Sequence, residues 1–163
     1  MTVASRIGLL LVVTLPIMVL DQVTKALARA FLSSGDAIVV LPFMNLRLSF
    51  NRGISFGFLP ADGEWGVRAL IGITALIAVG LAIWSVRTRN RHEGAALSLI
   101  VSGAVGNLID RVKDRMVTDF IDLHVADYHW PTFNVADIAI TVGATWLVAD
   151  SFGIGARRRR EAA

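Results

Sequence analysis

The chain has 163 residues, of which 55% are hydrophobic, and it carries a formal net charge of +3 with no cysteine. Its length suits one domain, and its apolar fraction is too high for an ordinary soluble protein, so the composition indicates an integral membrane protein. The lack of cysteine excludes disulfides, thiolate catalysis and cysteine-ligated metals.

Four apolar segments are long enough to cross a bilayer, which takes about 20 mainly apolar residues. They cover residues of about 7–32, 65–86, 94–111 and 134–154. We therefore expect residues 1–163 to form a single all-α membrane domain with four transmembrane helices. Dense basic clusters flank these segments at 87–92 and 157–160, which predicts that both termini are cytoplasmic and that the longer loops face outward. The same clusters would otherwise suggest nucleic acid binding, which we do not expect.

The first apolar segment allows two interpretations. Its basic start and the small residues at 26–28 resemble a cleavable secretory signal. Against this, the sequence DQVTK places Asp21 and Lys25 four residues apart, on one helical face and in the order that favours an ion pair. An acid at mid-span costs about 2.5–3.5 kcal/mol, so Asp21 is expected to face protein or water and to mark a function. The alternative is that the pair only neutralises itself near the interface.

Residues of about 37–62 predict a small β-region outside the membrane. Polar and apolar residues alternate from Asn45 to Asn51, and a period of two is typical of a strand with one polar and one apolar face. The sequence NRGISFG, which starts at Asn51 and includes Gly53, then indicates a turn. Whether this turn is a plain hairpin or part of a site stays open.

The third apolar segment is rich in small residues, which let helices approach each other closely. It ends in GNLIDR, where Asn107, Asp110 and Arg111 cluster within about one helical turn. Neighbouring Asp and Arg residues commonly form a structural pair, although Arg111 is also able to hold a carboxylate or a substrate carbonyl.

The sequence TDFIDLHVADYHWPTFNVAD places two acids at the ends of apolar elements. Asp119 follows an expected polar linker at 112–116, while Asp137 falls in the first turn of the fourth helix, with Asn134 as its predicted N-cap. Two neighbouring carboxylates in a low-dielectric setting do not both ionise readily. The charged one can then take a proton from water while the neutral one donates to a scissile carbonyl, which would hydrolyse a peptide bond.

Other chemistries fit the sequence less well. His124 and His129 lie near several acids, but no HExxH motif occurs and their spacing does not match one helical face, so we expect no metal site. No GxSxG motif indicates a serine nucleophile. A proton- or ion-coupled transporter that uses the intramembrane acids is the alternative from another class. Transporters commonly show internal repeats, and we find none here.

Five short motifs occur in order along the chain: DQVTK, NRGISFG, GAVGNLIDR, VTDFID and FNVAD. Over essentially its whole length, the chain resembles the lipoprotein signal peptidase family, also called bacterial signal peptidase II. The resemblance implies a cofactor-free aspartic endopeptidase of the bacterial inner membrane, active near the periplasmic face. Such an enzyme cleaves diacylglyceryl-modified prolipoproteins before the lipidated cysteine.

The resemblance also implies roles for individual residues, with Asp119 and Asp137 as the catalytic pair. The residues that it places around the site, for substrate binding or for shape, are Asp21, Lys25, Asn51, Gly53, Asn107, Arg111 and Asn134. For the first two of these, the expected role is structural or substrate-positioning. The implied partners are prolipoprotein substrates and membrane lipids, and we expect a monomer.

Three further expectations concern the motifs. The resemblance implies that the period-two segment forms a periplasmic β-cradle, in agreement with the alternation. Ser102 and Ser55 stand where the family more usually has glycine and alanine, and both are small enough to preserve close packing. Asp122 is a second acid near Asp119, and only the motif match favours Asp119 as the catalytic residue.

Overall fold

The structure is a computed structural model that describes residues 2–33, 35–53 and 64–152. The helices are α1 (Val3–Phe31), α2 (Glu64–Arg87), α3 (Arg91–Asp114) and α4 (Val135–Ser151), and the strands are β1 (Ala37–Leu41), β2 (Met44–Asn51), β3 (Val117–Val125) and β4 (Tyr128–His129). Four sequence features lie outside the described residues: Ser55, the end of the predicted β-region, the last residues of the fourth apolar segment and the basic cluster at 157–160.

The molecule is mostly helical, as predicted, and three of its helices have the length and hydropathy needed to cross a membrane. Among the described helices these are α1, α2 and α3. Helix α1 starts four residues before its predicted limit and ends one residue short of it, α2 is one residue longer at each end, and α3 is three residues longer at each end. Helix α4 has 17 residues as far as Ser151, which corresponds to a length of about 25 Å. Helix α3 also takes in the first half of the stretch at 112–116 that was expected to be a linker.

Helix α3 is the centre of the bundle and contacts the other three helices. Its small residues allow this, because a side chain at Gly103 would collide with the backbone of Ala136 and the side chain of Ile140 in α4. A side chain at Gly143 of α4 would likewise collide with the backbone oxygen of Ala96 in α3. The close helix approach predicted from the small residues of the third segment is therefore present between α3 and α4.

The two ends of the bundle differ in structure. At one end, Arg6 Nη1 donates to the backbone oxygen of Arg87 at 2.9 Å, and Asn90 Nδ2 donates to Asp150 at 3.0 Å. The other end holds the end of α1, the start of α4 and the β-sheet. Successive helices thus run in opposite directions, and the polar site residues gather at the sheet end.

The strands form one antiparallel sheet in the order β1-β2-β3-β4. Strand β2 confirms the prediction of a strand from alternation, whereas no element was predicted for the residues of β3. It pairs with β2 so that Asp119 lies opposite Ser49 and Asp122 lies opposite Asn45. Phe120, between the two acids, packs against α1. The odd and even residues of β3 therefore face different parts of the molecule.

The glycine contacts predict a difference between two matched substitutions. Gly103→Ala should lower the free energy of unfolding by about 1–3 kcal/mol, because the new methyl group overpacks the contact with α4. Gly80→Ala in α2 has no heavy atom within 4 Å of the new methyl, so its effect should stay within about 1 kcal/mol. Thermal unfolding of both variants in detergent measures this, and equal losses of stability would contradict the packing described.

Candidate active site

A cavity of about 890 Å³ opens at the sheet end of the bundle, between α2, α4 and β3. Its wall is largely apolar, with contributions from Leu70 and Ile73 of α2 and Ile138 of α4. Six of the predicted site residues line it: Asn51, Gly53, Asn107, Arg111, Asp119 and Asp137. The structure therefore brings residues from four separate elements to one apolar cavity.

Asp119 projects from β3 into this cavity and is 2% exposed. Its Oδ1 accepts a hydrogen bond from Asn134 Nδ2 at 2.6 Å. Burial, followed by the negative charge of Asp137, raises the pKa of Asp119 to about 7, although hydrogen bonds from Asn134 and Asn51 oppose the rise. The carboxyl group of Asp119 is thus suited to keep its proton near neutral pH.

Asp137 reaches the same cavity from the first turn of α4. Asn134 caps this helix by accepting from the backbone N–H of Asp137 at 3.0 Å, and its own backbone N–H donates to Asp137 Oδ2 at 3.2 Å. This reciprocal capping confirms the predicted N-cap. Asn107 Nδ2 donates to the other oxygen of Asp137 at 2.8 Å. Asp137 therefore accepts a hydrogen bond on each oxygen, beside the positive end of the helix dipole.

Two asparagines hold both carboxyl groups, and the orientations of their side-chain amides follow from their other contacts. Lys25 Nζ lies 2.9 Å from Asn107 Oδ1, and because an ammonium group can only donate, Nδ2 of Asn107 must face Asp137. Asn134 Oδ1 is occupied by the backbone N–H of Asp137, which leaves Nδ2 of Asn134 for Asp119. Each carboxyl group thus receives one side-chain amide donor from this pair of asparagines.

Asp21 and Lys25 lie behind the carboxyl groups and are not among the residues that line the described cavity. Both are almost fully buried, and they form the predicted ion pair at 2.8 Å. Asp21 also accepts from the backbone N–H of Ala136 at 2.9 Å, next to the capping turn of α4. A side chain at Gly106 would collide with Asp21. The pair therefore links α1 to α3 and α4. These contacts go beyond the alternative of a pair that only neutralises itself near the interface.

The neighbours Asp110 and Arg111 separate in the structure. Asp110 lies 3.2 Å from Lys25 and accepts from the backbone N–H of Thr118 at 3.1 Å, so it joins the buried network. Arg111 instead lines the cavity. Its Nε is buried and has no hydrogen-bond partner among the described residues. A guanidinium in this position is available to hold a carbonyl or a carboxylate that enters the cavity.

The loop motif contributes through Asn51. The backbone N–H of Gly53 donates to Asn51 Oδ1 at 3.1 Å, while the side chain of Asn51 makes a hydrogen bond that lowers the pKa of Asp119. The turn after β2 therefore orients a third amide towards Asp119. The rest of this motif, 54–57, lies outside the described residues, so the hairpin alternative for it stays a prediction.

Asp122 does not share the position of Asp119. The two residues are three apart on β3, where side chains alternate between faces, and Asp122 contacts Asn45 and His129 instead of the cavity. The placement agrees with the choice of Asp119 from the motif.

Sequence reasoning missed other wall residues: Leu70, Ile73, Thr74 and Ile77 of α2, together with Trp130, Pro131, Thr132 and Phe133. An evenly apolar helix gives no signal that one stripe lines a cavity.

The chain matches the family model described as "Signal peptidase (SPase) II" over residues 13–153. The chain belongs to the signal peptidase II family. The lipoprotein signal peptidase of Coxiella burnetii (strain Dugway 5J108-111) is 44% identical over 135 residues, which cover 81% of this chain and 82% of that protein. The lipoprotein signal peptidase of Hydrogenovibrio crunogenus is 38% identical over 148 residues, covering 90% and 86%.

Solved structures agree with this assignment to the signal peptidase II family. A bacterial membrane enzyme determined by the in meso method at 2.3 Å resolution has a TM-score of 0.80 and 30% identity, covering 90% of this chain and 88% of that one. A second, at 1.9 Å resolution, has a TM-score of 0.78 and 32% identity, with 88% and 92% covered. Membership of a peptidase family favours the peptidase hypothesis over the transporter alternative.

The buried network predicts a large effect of charge removal at Lys25. Lys25→Met leaves Asp21 and Asp110 without their shared cation, which should lower the free energy of unfolding by about 3–5 kcal/mol. Lys113→Met provides the control, since Lys113 is exposed on the same end of α3 and its loss should cost no more than about 0.5 kcal/mol. Thermal unfolding in detergent measures both values. Similar losses for the two variants would show that Lys25 does not neutralise the buried acids.

Proposed function

We propose that this member of the signal peptidase II family is an aspartic endopeptidase that removes the signal peptide from diacylglyceryl-modified prolipoproteins, cleaving before the lipidated cysteine. The observation that carries the proposal is the convergence of Asp119 and Asp137 on one apolar cavity, with unequal surroundings. Asp119 is buried beside a second carboxyl group, and Asp137 sits at a helix start between two N–H donors. Family membership and the names of the relatives support the same substrate class.

In the proposed mechanism, Asp137 is the ionised general base and Asp119 carries the shared proton. A water molecule between them loses a proton to Asp137 as it attacks the scissile carbonyl carbon. Asp119 donates a hydrogen bond to the carbonyl oxygen, which gains negative charge in the tetrahedral transition state. When the amide bond breaks, Asp137 passes the proton that it took from water to the leaving nitrogen. The dyad then again holds one proton, on Asp119.

The amide side chains around the dyad would keep this geometry. Asn107 and Asn134 present one donor to each carboxyl group, so neither needs to rotate to find a partner. Asn51 and Gly53 at the end of β2 and Arg111 of α3 line the cavity, where they would hold the substrate backbone. We assign Asp21 and Lys25 a structural role, because they lie behind the dyad.

The apolar wall supports a lipid-modified substrate. A signal peptide is apolar and a diacylglyceryl group more so, and both gain by transfer into a cavity whose wall is formed by aliphatic side chains of α2 and α4. We infer that α4 completes a four-helix transmembrane arrangement with both termini cytoplasmic. The sheet and the dyad would then lie near the periplasmic face of the bacterial inner membrane. The basic clusters at 87–92 and 157–160 support this orientation.

Cleavage of a lipidated precursor by the purified protein in detergent tests the proposal. Asp119→Asn and Asp137→Asn should each reduce kcat by at least about 1,000-fold, because either change removes the shared proton or its acceptor. Asp127→Asn is the matched control, since Asp127 is exposed in the turn between β3 and β4, and it should keep wild-type activity. Full cleavage by either dyad variant would disprove the assignment of roles.

A further inference from the structure

A cluster of titratable side chains lies on β3 and β4, outside the cavity. Asp122 has a side chain that is 2% exposed, and both of its oxygens lie close to His129 Nδ1, at 2.8 and 2.9 Å. Asn45, opposite on β2, donates to the same carboxylate at 3.3 Å. The ring of His124 stacks on that of His129, with centroids 4.9 Å apart. None of these four residues lines the described cavity.

The proton positions in this cluster follow from the contacts. Burial acts to raise the pKa of Asp122, but hydrogen bonds from His129 and Asn45 and the charges of the two histidines lower it overall. Asp122 is therefore ionised at neutral pH and only accepts hydrogen bonds, so His129 Nδ1 must carry a hydrogen. Protonation at the other ring nitrogen of His129 then converts this hydrogen bond into an ion pair.

Among the described residues, few other polar groups contact this pair. Strand β2 contributes Asn45, and β3 contributes His124. Asp127 and Tyr128 in the adjoining turn and β4 are exposed. The contact thus consists mainly of the hydrogen bond from His129 to the Asp122 carboxylate.

The contact is directly connected to the cavity wall. Residues 130–133 follow His129 and line the cavity beside Asp119. Strand β4 has only two residues, and the backbone holds this wall to β3 through a few bonds, among them Trp130 N–H to Leu123 at 2.8 Å and Phe133 N–H to Ile121 at 3.0 Å. With such a short strand, the contact of the partly exposed His129 with the buried Asp122 adds to the hold on the wall segment.

We propose that His129 is a positioning residue whose hydrogen bond to the Asp122 carboxylate holds residues 130–133 in place as the substrate-facing wall. The effect on substrate rests on the proposed peptidase function, whereas the contact itself does not. A charge-assisted hydrogen bond is roughly twice as strong as a neutral one, so loss of the donor or of the carboxylate charge weakens the hold.

Two measurements on three variants test this proposal. His129→Ala removes the donor, and Asp122→Asn removes the charge of the acceptor. Both variants should show amide hydrogen exchange at Trp130 and Phe133 that is faster than wild type by about fivefold, with KM raised by about fivefold and kcat within about twofold. His129→Gln, whose side chain can still donate, should bring both values back to within about twofold of wild type.

His92→Ala is the matched control, because His92 lies at the start of α3, at the opposite end of the bundle, and it should leave exchange at 130–133 and KM unchanged. Wild-type exchange in His129→Ala would overturn the proposal. So would faster exchange with an unchanged KM, or no recovery of KM in His129→Gln, which would indicate a purely structural role. If the wild-type protein cleaves no lipidated precursor, the proposed function fails, and the exchange data still decide whether His129 holds the wall.

Discussion

Two carboxyl groups that share an apolar cavity need donors, because an ionised carboxylate loses several kcal/mol of hydration free energy on burial. The side chains of Asn107 and Asn134 supply these donors, one to each acid. Lys25 in turn determines which end of Asn107 faces Asp137, since an ammonium group cannot accept a hydrogen bond. The orientation of the amide group that donates to Asp137 thus depends on a residue in the first helix that does not line the described cavity.

Close helix packing makes this arrangement possible. The glycines of α3 let α4 approach until Ala136 lies against Gly103, and the backbone N–H of Ala136 then reaches Asp21 of α1. A larger residue at Gly106 would occupy the position of the Asp21 carboxylate. The small residues of the third segment therefore allow close packing and also set the distance between α3, which carries Asn107, and α4, which carries Asp137. That distance permits the hydrogen bond between these two side chains.

Local spacing predicted a large part of this structure. The interval from Asp21 to Lys25 predicted an ion pair, Asn134 before an apolar run predicted a helix cap, and alternation predicted β2, and all three are present. Strand β3 was not predictable in the same way, because its acids lie on both faces and each finds a different partner. The pairing of Asp110 with Lys25, far away in the chain, depends on tertiary packing that no local pattern encodes.

The two faces of β3 contact different parts of the molecule. Asp119 faces the cavity from one side, while Phe120 and Asp122 anchor the strand to α1 and to β4 from the other. A strand held on both sides is a rigid support for the carboxyl group that we propose as catalytic, and rigid support keeps reacting atoms in position. The sequence VTDFID is one motif, yet its two acids contact different residues.

The central claim is that Asp119 keeps a proton near neutral pH while Asp137 is ionised. Infrared difference spectroscopy of the purified protein, wild type against Asp119→Asn, measures this through the C=O stretch of a protonated carboxyl group. We predict a carboxylic acid band that is present in the wild type, absent from the variant, and lost as the pH rises through about 7, where Asp119 titrates. A wild-type protein with no such band above about pH 5, the range of an ordinary aspartate, would contradict the account.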